Sequence, residues 1–140
     1  MIRKIACLVV VVLLMGAAPL IADEYDKKKA AITSADKWLR MVDEGKFIES
    51  WKESSQYFRQ AIKPDQWQQT LQAVRAPLGN LISRKVKRAT YTTSLPGAPD
   101  GEYVVVEFIT SFANKKSGIE TVTPQKDKDG LWRVSGYYIK

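Results

Sequence analysis

Apolar residues recur at helical spacing in the first half of the chain and at alternate positions in the second. Ala31, Ile32, Ala35, Trp38, Leu39 and Val42 fall on one face of a helix, and Gly45 is placed to cap its C-terminus. Phe47, Trp51, Phe58 and Ile62 continue the stripe. Ser54 and Ser55 sit in its middle and are weak helix formers, so this stretch is one helix or two short ones. Pro64 and Asp65 suit the first turn of a further helix, whose apolar stripe is Trp67, Leu71, Val74 and Leu78. Pro77 cannot lie deep in a helix, so a stop is expected near Arg75–Ala76, with Leu78 in a turn closed by Gly79. The charged stretch Asp23–Lys29 is expected to fray.

From Ser83 the period changes. Val86–Ser94, rich in threonine, reads as a first strand. A loop of turn residues, Leu95–Gly101, leads to a long strand over Glu102–Ala113, with Val104, Val106, Phe108 and Phe112 on one face. Asn114–Gly118 is read as the next turn, Ile119–Thr123 as the third strand and Leu131–Ile139 as the fourth. Asp127-Lys128-Asp129-Gly130 between them is a hairpin turn: a calcium loop would need further oxygen ligands where Trp132 and Arg133 stand. Short connections imply antiparallel neighbours. The expected fold is α+β, with three N-terminal helices packed on one face of a four-stranded antiparallel sheet.

The N-terminus changes the setting. Arg3 and Lys4 precede an unbroken apolar run, Ile5–Met15, followed by Gly16, Ala17, Ala18 and Pro19. This is the layout of a secretory signal peptide, with a cut expected after Ala22. Domain organisation is then residues 1–22 as signal and 23–140 as one domain. Left uncut, Ile5–Ala22 is just long enough to anchor the chain in a bilayer. Both outcomes place the body outside the cytoplasm, and in a bacterial envelope this means the periplasm. The net charge of +7 falls by the two basic residues of the leader to +5. Such a surface can meet anionic lipid, wall polymer or acidic partners, whereas nucleic acid is not expected outside the cytoplasm.

The one cysteine, Cys7, lies in the leader, and the chain has no histidine. Ser–His–Asp triads, Cys–His pairs, disulfides and ordinary zinc sites are therefore excluded from the body. No phosphate-binding or dinucleotide glycine motif is present. No cofactor and no metal are expected. An enzyme would have to use carboxylate, lysine or tyrosine chemistry.

Four residues are candidates for binding a small ligand: Arg75, Trp67, Tyr91 and Glu107. Arg75 flanks the apolar stripe of its helix, where it could hold a carboxylate with two hydrogen bonds or pair with Glu107 to lock the helix to the sheet. Trp38, Trp51, Trp67 and Trp132 all fall on faces expected to be buried, where core packing is the ordinary role. The densest basic run supplies Arg84, Lys85, Lys87 and Arg88 as contacts for an anionic surface, although a strand sends their charges to alternate faces. Tyr91, Tyr103, Tyr137 and Tyr138 occupy both faces of the sheet, so some tyrosine is left for protein contact or a homodimer.

Several segments carry a resemblance. They are Trp51 with Phe58, Ala73-Val74-Arg75-Ala76-Pro77-Leu78-Gly79, Tyr91-Thr92-Thr93-Ser94-Leu95-Pro96-Gly97, Pro99-Asp100-Gly101-Glu102-Tyr103 and Gly130-Leu131-Trp132-Arg133-Val134-Ser135-Gly136-Tyr137. Together they resemble an exported bacterial family, the domain of unknown function numbered four thousand and nineteen. The closing Gly130, Trp132-Arg133-Val134 and Gly136-Tyr137 are also similar to the last strand of cone-shaped domains of the nuclear transport factor 2-like superfold, which implies a curved sheet. Neither resemblance supplies a mechanism. The expected function is a non-catalytic envelope protein that binds a small ligand or a protein partner. An enzyme using a carboxylate or tyrosine in the cone, and an accessory that engages anionic lipid or wall polymer, are the alternatives.

Overall fold

The computed structural model describes residues 18–140, so the expected signal sequence lies almost wholly outside the described residues. Four α-helices stand where three are expected: α1 (Ala18–Asp43), α2 (Phe47–Lys52), α3 (Gln56–Ala61) and α4 (Pro64–Arg75), followed by a 3₁₀ turn over Ala76–Leu78. Among the described residues, no helix is long and apolar enough to cross a membrane.

α1 begins well before its apolar stripe. Asp23–Lys29 is helical, not frayed. Lys27 pairs with Asp23 one turn back at 3.1 Å and also reaches Glu102 at 2.7 Å, which ties this polar turn to the sheet. The helix closes as a Schellman motif: Lys46 N–H donates to Met41 O at 2.8 Å and Gly45 N–H to Val42 O at 3.1 Å. Gly45 adopts φ +76°, the left-handed conformation that this cap requires.

The two serines divide the next stretch into α2 and α3. Ser55 caps α3 by accepting from Phe58 N–H at 3.1 Å, while its own N–H donates to Val134 O at 2.8 Å. Ser50 and Ser54 are fully buried with it; their hydroxyls donate to Phe47 O and Ser50 O and also accept from indoles, Trp67 Nε1 donating to Ser50 Oγ and Trp38 Nε1 to Ser54 Oγ and Ser50 O. α4 opens at Pro64 and stops before Pro77, as its sequence requires.

The sheet is an antiparallel meander in the order β1-β2-β3-β4: β1 (Leu81–Thr92), β2 (Tyr103–Phe112), β3 (Lys115–Lys126) and β4 (Trp132–Ile139). β1 and β3 begin earlier than expected, and the β2–β3 connection shrinks to Ala113-Asn114, with Lys115–Gly118 paired in the sheet. The β1–β2 pair contains two register shifts and the other two pairs one each, the irregularity that bends a sheet. Val104, Val106, Phe108, Thr110 and Phe112 all face inward and are buried. Val104, Val106 and Phe108 share one core with Ala31, Ala35, Trp38, Leu39 and Val42 of α1 and with Phe58, Trp67 and Leu71 of α3 and α4. On the opposite face Ile109 and Tyr138 are exposed.

Candidate functional site

One end of the layer between helices and sheet is charged. Three strand positions on the inner face place Arg84, Thr110 and Glu120 near one another: Arg84 registers with Thr110, and Phe108, two residues along, registers with Glu120. Tyr137 on β4 registers with Val122 of β3 and joins them. α1 brings Asp43 from its last turn, and α4 brings Arg75 from its last turn. A carboxylate at a helix C-terminus opposes the helix dipole, so Asp43 depends on the cations around it.

Arg84 lies between the two acids and grips each with two hydrogen bonds. Nη1 and Nη2 donate to Asp43 Oδ2 and Oδ1 at 2.7 and 2.9 Å, while Nε and Nη2 donate to Glu120 Oε1 and Oε2 at 2.7 and 3.3 Å. Arg75 Nη2 adds a bond to Asp43 Oδ1 at 2.8 Å. Thr110 Oγ1 donates to Glu120 Oε1 and Tyr137 OH to Glu120 Oε2, both at 2.5 Å. Glu120 is fully enclosed, and the Arg84 side chain is 8% exposed. Every carboxylate oxygen in the cluster thus has a donor.

Burial alone would push the Asp43 carboxyl up, but the guanidinium hydrogen bonds of Arg84 and Arg75 outweigh it and hold the group below its ordinary value. Arg84 is held more firmly protonated than usual: burial works against its charge, and the bonds to Asp43 and Glu120 prevail. Burial, then the neighbouring charge of Glu120, pushes the Tyr137 phenol far above its ordinary range.

Arg75 is the incomplete member. Its Nε and Nη1 are buried with no hydrogen-bond partner among the described residues. An unmade bond at such a site costs about 1–3 kcal/mol per group. Its guanidinium carbon lies 4.8 Å from the centre of the Phe112 ring.

The four candidate ligand residues are not brought together. Arg75 pairs with Asp43 and not with Glu107, because Glu107 points to the opposite face of the sheet and accepts from Arg88 there at 2.6 Å. Trp67 is buried against Trp38 and Phe58. Tyr91, at the far end of β1, donates to Glu102 at 3.0 Å and lies under Lys27. The basic run also divides. Arg84 is buried in the cluster and so is not on the surface, Arg88 is paired with Glu107, and Lys85 and Lys87 are exposed.

Glu120, Asp43 and Thr110 were not singled out from the sequence, and Tyr137 was named only as one of four strand tyrosines open to protein contact. A signal existed for Glu120: it lies two residues from Val122 on an alternating strand, so it shares the apolar face. A carboxylate on that face demands a buried cation, and Arg84 is the inward member of the basic run.

A separate, larger concavity of about 780 Å³ runs between α1 and the start of β4. Ala30, Met41, Leu131 and Trp132 supply apolar lining, and charged side chains of both signs, among them Lys29, Lys37, Asp26 and Glu53, line it as well. Leu131 is 58% exposed there. Ser34 Oγ donates to Trp132 O at 2.7 Å and fixes the two walls. Among the described residues no cluster of acidic, histidine or cysteine side chains could hold a metal ion.

No curated protein and no solved structure matches the chain. A family model described as a protein of unknown function, DUF4019, matches residues 34–137, a span that runs from the second half of α1 to the tyrosine beside Glu120, and the chain belongs to that family.

Proposed function

We propose that this is an exported, non-catalytic binding module of nuclear transport factor 2-like build, and that it takes a small ligand with an apolar body in the groove between α1 and β4. The single observation that carries the reading is the groove itself: an apolar trough of about 780 Å³ whose wall includes the exposed Leu131 beside Trp132. That volume and lining are those of small-molecule sites. Five basic side chains (Lys27, Lys29, Lys37, Lys126 and Arg133) against three acidic ones (Asp23, Asp26 and Glu53) line it, a balance that favours a ligand with an anionic end. The buried carboxylates argue against catalysis, since the oxygens of Asp43 and Glu120 are all held by Arg84, Arg75, Thr110 and Tyr137. A general base needs a lone pair free to meet its substrate. The basic, apolar and small-residue blocks of residues 3–22 support export.

The test uses the dye 1-anilinonaphthalene-8-sulfonate, which has an apolar body and one negative charge. It should bind the native protein with a rise in fluorescence. Leu131→Asp should weaken that binding about tenfold, roughly 1.4 kcal/mol, and leave the urea midpoint in place because the side chain is exposed. Equal binding by the variant would refute the groove as the site.

A further inference from the structure

Arg75 is built to receive something that the protein does not provide. The ion pair with Asp43 and the stack on Phe112 fix the plane of its guanidinium, so Nε and Nη1 cannot turn to another protein partner without breaking both contacts. The side chain is 8% exposed. It lines a second groove of about 430 Å³, formed by the end of α1, α4 and the start of β1, with Phe47, Gln68, Gln72 and Asn80 around it. This groove shares no lining residue with the trough between α1 and β4.

Two donor nitrogens without a partner, Nε with one N–H and Nη1 with two, call for oxygen acceptors, and charge decides which kind. Arg75 and Arg84 are matched one for one by Asp43 and Glu120, so the cluster already sums to zero. A carboxylate or phosphate entering here would bring an unmatched negative charge beside Asp43. A neutral carbonyl oxygen would satisfy the donors without that repulsion. Donor geometry does not separate the two, because Nη2 has one N–H on each edge of the planar group and Asp43 takes only one of them, so the preference rests on charge. The rim amides of Gln68, Gln72 and Asn80 each offer a donor and an acceptor, the complement of an amide group.

We propose that this groove binds a neutral, amide-bearing ligand of peptide-like chemistry, with Arg75 donating to its carbonyl oxygens. Nε and Nη1 are closed to bulk water, so the ligand must displace a rim side chain to reach them.

The experiment is an NMR titration of the full folded domain that follows the Arg75 Nε–Hε resonance. The probes are N-acetylglycine methylamide and, at matched ionic strength, sodium acetate and sodium phosphate. The amide should shift the resonance saturably and the anions should leave it in place. Arg75→Lys keeps a cation for Asp43 but lacks the planar donors, and should weaken amide binding about tenfold when both proteins are followed through the side-chain amide of Asn80, which lines the same groove. Gln72→Ala, an exposed change that leaves Arg75 intact, should also weaken it at an unchanged urea midpoint, and serves if the lysine variant does not fold. A resonance moved as far by acetate or phosphate would overturn the neutral-ligand assignment. A resonance moved by no probe, or amide binding untouched by Gln72→Ala, would overturn the site.

Discussion

Two ion-pair clusters in this domain have nearly the same contact distances and opposite surroundings. In the interior, Arg84 meets Asp43 and Glu120 at 2.7 Å each, with side-chain exposures of 8%, 13% and 0%. At the β3–β4 turn, Arg133 meets Asp127 and Asp129 at 2.9 and 2.8 Å, with exposures of 26%, 11% and 51%. Distance alone would rank them together. Physically they differ because water can replace a lost partner at the turn and cannot do so in the interior. The interior cluster is therefore fragile to the loss of any one member. The turn cluster fixes local geometry and contributes little to global stability.

The largest expected effect comes from Arg84→Met. The change keeps an unbranched apolar stem but leaves Asp43 and Glu120 buried with only hydroxyl donors and Arg75. Breaking a buried pair from one side costs about 3–5 kcal/mol, a large part of the stability of a domain this size. Urea unfolding followed by tryptophan fluorescence measures it. A loss no greater than that of an exposed arginine would collapse the distinction between the two clusters.

What was legible from the sequence was whatever depends on local period. The α1 stripe, the Gly45 cap, Pro64 as a helix start and the inward row of β2 all follow from spacing and single-residue conformational preference. What was not legible depends on distant partners. Asp23–Lys29 has no apolar stripe to announce a helix, and it is held by ion pairs within the helix and by Glu102 across the fold. Ser55 breaks the second apolar stretch because its N–H is taken by Val134 on the last strand. β1 starts early but is an edge strand, and its residues are mostly exposed, so no alternation marks where it begins. The charged cluster draws on α1, α4 and all four strands. Arg84 was hidden within a basic run that reads as a solvated surface, and only the parity of Glu120 hinted at its buried partner.

Tyr137→Phe sharpens the comparison with a smaller change, since it removes one hydrogen bond and leaves every charge of the interior cluster in place. Loss of a bond to a buried carboxylate costs about 1–3 kcal/mol near neutrality. The alkaline behaviour is more diagnostic. Burial and the charge of Glu120 raise the phenol above its ordinary value of 10.0 in the folded protein. The folded state thus keeps a proton that the unfolded chain gives up near pH 10, and this stabilisation is fully present below that pH and lost above it. Tyr91 and Tyr103 are also raised, so the wild-type stability should fall above pH 10 and the variant should fall less steeply without becoming flat. Parallel curves for the two proteins would mean that Tyr137 is solvated.

The smallest effect belongs to Arg133→Ala, and its smallness is the point. The Arg133 hydrogen bond, followed by the Leu131 N–H, pushes the Asp129 carboxyl from an ordinary 3.8 down to about 2. A carboxylate depressed in the folded state adds stability above the unfolded value, which is lost as pH falls from 3.8 towards 2. At this exposed site solvent screens the gain, so the urea midpoint at pH 7 should stay within error of wild type. The titration should still move. Carboxyl carbon NMR should find Asp129 displaced upward toward 3.8 in the variant, and not fully there, because the Leu131 N–H donor at 3.0 Å remains. A shifted titration with an unmoved midpoint is what an exposed ion pair predicts. A midpoint that fell as far as that of Arg84→Met would show that contact distance, not burial, sets the strength of the pairs in this fold.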